Sequence, residues 1–287
     1  MNLWLLLTVN SVTLGGLLFL LSAGFSLIFG LMRIPNLTHG SFFMLGAYIG
    51  VSLVLWFHFD FWISAILAAL AVAVLGGVIE RFLLRRLAGA EQAQVLVTLG
   101  LSFMIADLCL MEWSGDPISI DAPGFLRGAT QMFGLYFSTF RLAIILIAIV
   151  IAAGLWALLE RTRLGAMIRA GVDDPQMARV CGIRVSRLFT IVFCLGAGLA
   201  GFAGMMGGPI LSVYPGLDAD MLPLALVVVI LGGVGSLMGS LLGSFVIGFL
   251  YNFGQALLPE LAYFVLFLPM VLILVVRPQG LFGRRVP

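Results

Sequence analysis

Lysine is missing from this chain of 287 residues: all fifteen basic positions are arginine. Charge of either sign is scarce, at 10% of residues, against about 25% in a soluble domain. A net charge of +2, scattered in small groups, leaves no basic face for nucleic acid. Cysteine occurs as Cys109, Cys181 and Cys194; the odd count and the lack of a CxxC pair mean that neither a disulfide framework nor a cysteine metal site follows. Histidine occurs only as His39 and His58, with no second ligand at metal spacing. No GxSxG, HExxH or embedded carboxylate pair beside a histidine is present. A GxxxxGK[ST] loop is missing too, so the chain has no cradle of backbone N–H groups for ATP. No basic residue precedes Arg33. The start therefore lacks the positive region of a cleaved signal peptide, and the first apolar run is expected to remain as a span.

What fills the chain instead is apolar: 62% of residues are hydrophobic and the mean hydropathy is +1.19. Spans of about 20 residues each allow about eight or nine crossings in this length. The alternation of a membrane barrel is absent and the apolar runs are too long for one. The expected class is an all-α polytopic membrane protein of about 8–9 transmembrane helices with discontinuous segments, forming a single domain over 1–287. Arginine marks the side of each turn. Arg81, Arg85 and Arg86 form one group, the segment Glu160–Arg187 a second, and Arg277, Arg284 and Arg285 a third. Two spans between the first pair of groups and four between the second put all three, with the C-terminus, in the cytoplasm. Residues 114–138 then make the main outer loop.

Two stretches read as breaks in helices. One is Gly30–Gly40; the other runs from Met206 to Gly239 and contains GGP (207–209), YPG (214–216) and GGVGSLMG (232–239). Paired interruptions of this kind point to a transporter's path. Asn36, Thr38 and His39 are candidates to line it; the competing reading is an ordinary helix–helix turn with polar residues at an interface. Asp107 lies inside an apolar span, and an ionisable group at that depth is a functional candidate by default. The simpler reading, a position near the interface or a hydrogen bond to a neighbouring helix, is preferred. Asp218 and Asp220 are expected to cap the helix after YPG. Small residues at Gly196, Ala197, Gly198, Ala200, Gly201 and Gly204 allow close helix approach in lipid.

The longest polar interruption, Glu160–Arg187, holds Arg161, Arg163, Arg169, Arg179, Arg184 and Arg187. It contains a short helix marked at both ends. Asp174 is a good N-cap and Pro175 fits the first helical position, where no N–H is needed. Gln176–Cys181 then make about a turn and a half, and Gly182 supplies a left-handed terminator. So short a helix buries too little to order itself alone. It is expected to dock on a cytoplasmic partner.

The stretches GLMRIPNLTHGSFFMLGAY (30–48), RTRLGAMIRAGVDDPQMARVCGIRV (161–185), FCLGAGLAGFAG (193–204), VVVILGGVGSLMGSLLGSFVIG (227–248) and RPQGLFG (277–283) resemble the permeases of ATP-binding-cassette importers for branched-chain amino acids, the first of the paired permeases. They cover nearly the whole chain. Thr38 departs from the alanine usual in the family's N-x-A-H-G stretch. The resemblance implies a type II ABC importer permease fold in a bacterial inner membrane, surrounded by membrane lipid. It implies a second homologous permease subunit, two cytoplasmic ABC ATPases, and a periplasmic or extracellular substrate-binding protein. ATP and magnesium would be bound by those ATPases, with no cofactor in this chain. The Asp174–Gly182 helix, with Ala178 and Arg179 on it, would be the coupling helix. The cargo class it implies spans branched-chain amino acids and related small solutes. An ion-coupled secondary transporter or channel is the alternative, for which Asp107 is thin support.

Overall fold

The computed structural model describes residues 2–32, 36–132, 135–277 and 279–283. Six helices there are long and apolar enough to cross a membrane: α1 (Asn2–Met32), α3 (Phe61–Phe82), α4 (Glu91–Trp113), α5 (Thr139–Arg161), α8 (Val185–Leu211) and α10 (Leu237–Leu257). Three shorter helices complete the bundle: α2 (His39–Leu55), α9 (Leu217–Gly232) and α11 (Ala262–Val276). Two more, α6 (Arg163–Asp173) and α7 (Pro175–Val180), lie in the polar segment. The loop after α4 carries a small antiparallel hairpin, β1 (Ala129–Met132) with β2 (Leu135–Ser138), a feature that a purely helical expectation did not include.

The two ends of the bundle differ. One carries the hairpin. The other gathers the turn after α3, the α6–α7 segment and the end of α11, and with them most of the arginine. Arg284 and Arg285, read as part of the last arginine group, lie outside the described residues, as do Arg33 and Pro35.

At the hub stands α8, packed against α1, α2 and α3. Lipid tails are as apolar as leucine, so helices gain nothing in a bilayer by hiding oil. They gain by close approach, which small residues permit. A Cβ on Gly46 of α2 would lie 2.3 Å from the Gly201 Cα of α8, and one on Gly204 would lie 1.9 Å from the Phe43 carbonyl oxygen. No side chain fits there. Around these contacts Phe42, Phe43, Ala47, Ala197, Ala200 and Met205 are fully buried.

Two details correct the expected breaks. The GGP stretch does not interrupt α8, which continues through Pro209 to Leu211. A proline so near the end removes one backbone hydrogen bond in the last turns. The chain is interrupted instead at residues 212–216, which include the expected YPG turn and where Ser212 and Gly216 take positive φ, and again at 233–236 within GGVGSLMG, where Gly233 and Gly235 do. The helix between these breaks begins at Leu217 and carries Pro223 inside it. Neither Asp218 nor Asp220 caps α9: its N-cap is Gly216, with no side-chain hydrogen bond.

Filling the α2–α8 contact tests this packing. Gly46→Leu should cost about 1–3 kcal/mol or more from overpacking, seen as a lower thermal midpoint of the detergent-purified protein. Gly154→Ala, inside α5 where an added Cβ meets nothing within 4 Å, should not lower that midpoint, since alanine is the better helix former.

Candidate functional site

Two arrangements stand out, one inside the bundle and one at its arginine-rich end. Inside, α2 and α4 meet along a polar seam. Thr38 Oγ1 donates to the Thr98 carbonyl at 2.8 Å, and Ser41 Oγ lies 2.7 Å from Ser102 Oγ. Further along, the Tyr48 and Trp113 rings sit 5.0 Å apart, and Trp113 Nε1 donates to Ser52 Oγ at 2.6 Å. Residues 98, 102, 109 and 113 of α4 are spaced at helical intervals, so one stripe of that helix faces α2.

Asp218, at the start of α9, closes the middle of the seam. Ser41 Oγ donates to its Oδ2 at 3.0 Å, and Ser102 Oγ lies 3.5 Å from the same oxygen. Ser102 is the midpoint of α4, so this carboxylate lies level with the middle of a long apolar helix, where charge is expensive. It is 8% exposed and, among the described residues, held by hydroxyls alone. A buried carboxylate so thinly compensated is costly unless a positive charge reaches it. Nearby, the buried Tyr48 hydroxyl has no hydrogen-bond partner among the described residues.

The three residues expected to line a path are all buried beside this seam. Asn36 Oδ1 accepts from the Thr38 backbone N–H at 3.2 Å, and His39 Nε2 lies 3.0 Å from the Leu21 carbonyl of α1. The His39 ring packs on Phe25 and Phe42. Asp107 behaves differently: it lies on the exposed face of α4 and has no hydrogen-bond partner among the described residues. It does not join the seam. Tyr214, between α8 and α9, donates to Asp220; burial, reinforced by that bond, holds its phenol above the ordinary range.

At the arginine-rich end α7 is built as its sequence dictates. Asp174 Oδ1 accepts from the Gln176 and Met177 backbone N–H groups at 2.8 and 2.9 Å, with Pro175 at the first position. Gly182 takes φ +82°. Its N–H donates to the Arg179 carbonyl and the Ile183 N–H to the Ala178 carbonyl, both at 3.0 Å. This is the paired hydrogen-bond pattern of a Schellman terminus. The helix ends one residue short of the expected Cys181, which serves as the C-cap. Ala178 is its inward residue, while Met177 is 59% and Val180 81% exposed. The knob is rigidly framed and presents an apolar tip.

That knob is joined to the bundle by α6, whose Ile168 packs on Leu188 and Val192 of α8. Arg169 pairs with Glu160 at 3.4 Å. A clamp that sequence reasoning missed lies beside it. Buried Glu80 of α3 accepts from Thr190 of α8 at 2.6 Å and pairs with Arg85 at 3.3 Å, and Arg85 also reaches the Ser186 carbonyl. An acid one residue before an arginine cluster was the available signal.

Helices that start at mid-bundle around a polar seam, with a framed knob at one end, define a polytopic membrane permease. A solved chain, PsaBC from Streptococcus pneumoniae in complex with Fab, shares this fold. It superposes with a TM-score of 0.50 at 15% identity, covering 93% of this chain and 89% of that chain. The family described as branched-chain amino acid transport system / permease component matches residues 7–274, and the chain belongs to that family. It is similar to the high-affinity branched-chain amino acid transport system permease protein BraD of Pseudomonas aeruginosa, 28% identical over 96% of this chain and 94% of the relative. It is also similar to LivH of Escherichia coli, 27% identical over 96% and 94%. The chain is thus the transmembrane permease subunit of an ABC importer.

The cap can be tested directly. Asp174→Ala removes both side-chain hydrogen bonds and should cost about 1 kcal/mol locally. Backbone amides of α7 should then exchange with deuterium several-fold faster, while those of α8 do not change.

Proposed function

We propose that this chain forms half of the import path for branched-chain amino acids in a bacterial inner membrane. Movement is driven by separate ATPases that grip α7. The observation that carries this reading is the framed helix itself. A six-residue helix that buries one side chain, Ala178, among its described side chains, yet is fixed at both termini, is built to transmit force to something seated on Met177 and Val180. The density of arginine beside span ends at that side favours a cytoplasmic location for it and for the C-terminus. A second permease would complete the path, and a binding protein outside would deliver cargo to the hairpin end. ATP and magnesium would stay with the ATPases.

Within the bundle the seam of Thr38, Ser41, Ser102 and Asp218, with Asn36 and His39 beside it, is the wall that parts during transport. Hydroxyls and one carboxylate suit an amino acid's ammonium group. The interface between α2 and α4 is thin compared with the glycine contacts of α8, so it is where the bundle opens at least cost.

Gly182→Val tests the drive. A β-branched residue at this positive φ costs about 1–3 kcal/mol, enough to unframe the helix without preventing insertion. In proteoliposomes holding the whole complex, amino-acid uptake per ATP hydrolysed should fall about ten-fold or more; normal coupling would rule out the docking role. The seam has its own test. A cysteine at Ser102 should react with a small thiol reagent during ATP turnover and stay protected at rest.

A further inference from the structure

Between α6 and the start of α8 lies a cleft of about 460 Å³. Leu164 and Met167 form one wall, Leu188 and Ile191 the other, and the turn at Cys181–Ile183 closes one end under Arg184 and Arg187. Neither arginine has an ion-pair partner among the described residues, and the nearby Glu160 is taken by Arg169. The cleft therefore joins two uncompensated cations to an apolar trough. We propose that it binds an anionic phospholipid, with the phosphate on Arg184 and Arg187 and an acyl chain along Leu188 and Ile191.

Depth decides between a lipid and a protein occupant. Ile191 is 42% exposed and lies within the span that begins at Val185, roughly 9 Å further along the helix axis. A protein docking from water would have to insert that far into the hydrocarbon, where an acyl chain already is. The arginines stand at the first turn of the same span, at head-group height, as expected for basic side chains that draw anionic lipid. A second marker lies close by: Leu159 near the end of α5 packs on the Leu188–Val192 cluster, and two residues on, Arg161 sits 4.8 Å over the ring of Trp156, an aromatic–basic pair typical of a membrane interface.

Cys181 lines the cleft and its thiol is exposed, whereas Cys109 is buried and Cys194 half-buried. It is a built-in reporter. The full chain in phosphatidylcholine nanodiscs is compared with the same chain in discs containing phosphatidylglycerol, and labelling by a neutral maleimide is followed at each cysteine by peptide mapping. Phosphatidylglycerol should slow labelling of Cys181 several-fold. The double variant Arg184→Gln/Arg187→Gln should restore the phosphatidylcholine rate. Two arginines near an anionic surface are together worth about a thirty-fold change in affinity, so native mass spectrometry of that variant should show a matching loss of retained phosphatidylglycerol. As a control, Val180→Cys in a Cys181→Ser background places a thiol at a position that is 81% exposed and outside the cleft; its rate should be the same in both bilayers. Equal rates at Cys181 in both bilayers would overturn the proposal. So would equal slowing at the control thiol, or protection that appears only when an ATPase is added.

Discussion

Everything in this bundle depends on how closely α8 can be approached. In a bilayer the solvent is as oily as the protein, so contact between helices must come from shape. Gly201 and Gly204 let α2 lie against α8 backbone to backbone, and Gly196 does the same for Gly24 of α1, where an added Cβ on Gly24 would stand 2.4 Å from the Gly196 oxygen. With the hub fixed so tightly, the remaining helices are free to differ. The apolar windows of α4 and α5 are only 28% and 17% buried, against 78% for α1. A tightly packed centre thus leaves the faces of α4 and α5 open to lipid or to another subunit.

The polar chemistry is distributed to suit that division. Glu80, Arg85 and Thr190 join α3 to the hub at the arginine-rich end, where the half-exposed Arg85 keeps one side of the pair in water while Glu80 is buried. The seam between α2 and α4 uses neutral hydroxyls, which carry a small desolvation cost and can exchange partners. Asp218 is the exception, and its place at mid-depth makes the seam sensitive to any ligand that brings a positive charge.

Legibility in the sequence followed distance along the chain. The α7 frame was readable because Asp174, Pro175, Ala178 and Gly182 lie within a few residues and act on their own backbone. The spans were readable from composition alone. Asp218 was misread as a cap because its partners are 177 and 116 residues away, and nothing local distinguishes a carboxylate aimed inward from one that caps a helix. GGP was misread as a break because proline and glycine speak only of local backbone preference, whereas α8, packed among its neighbours, stays helical through them. The short length of α9 and the hairpin in the loop after α4 were equally silent, since both are set by tertiary contact.

The loop after α4 is sewn to the gap between α8 and α9. Ile118 and Val213 exchange both backbone hydrogen bonds at 2.8 Å, and Ser119 lies 2.9 Å from Ser212 across the same stitch. Gly216 and Asp218 follow within five residues of Val213. The hairpin end of the bundle is therefore tied, through a handful of main-chain bonds, to the buried carboxylate of Asp218. Surface and interior share one lever arm, whose fulcrum is the left-handed glycine at 216.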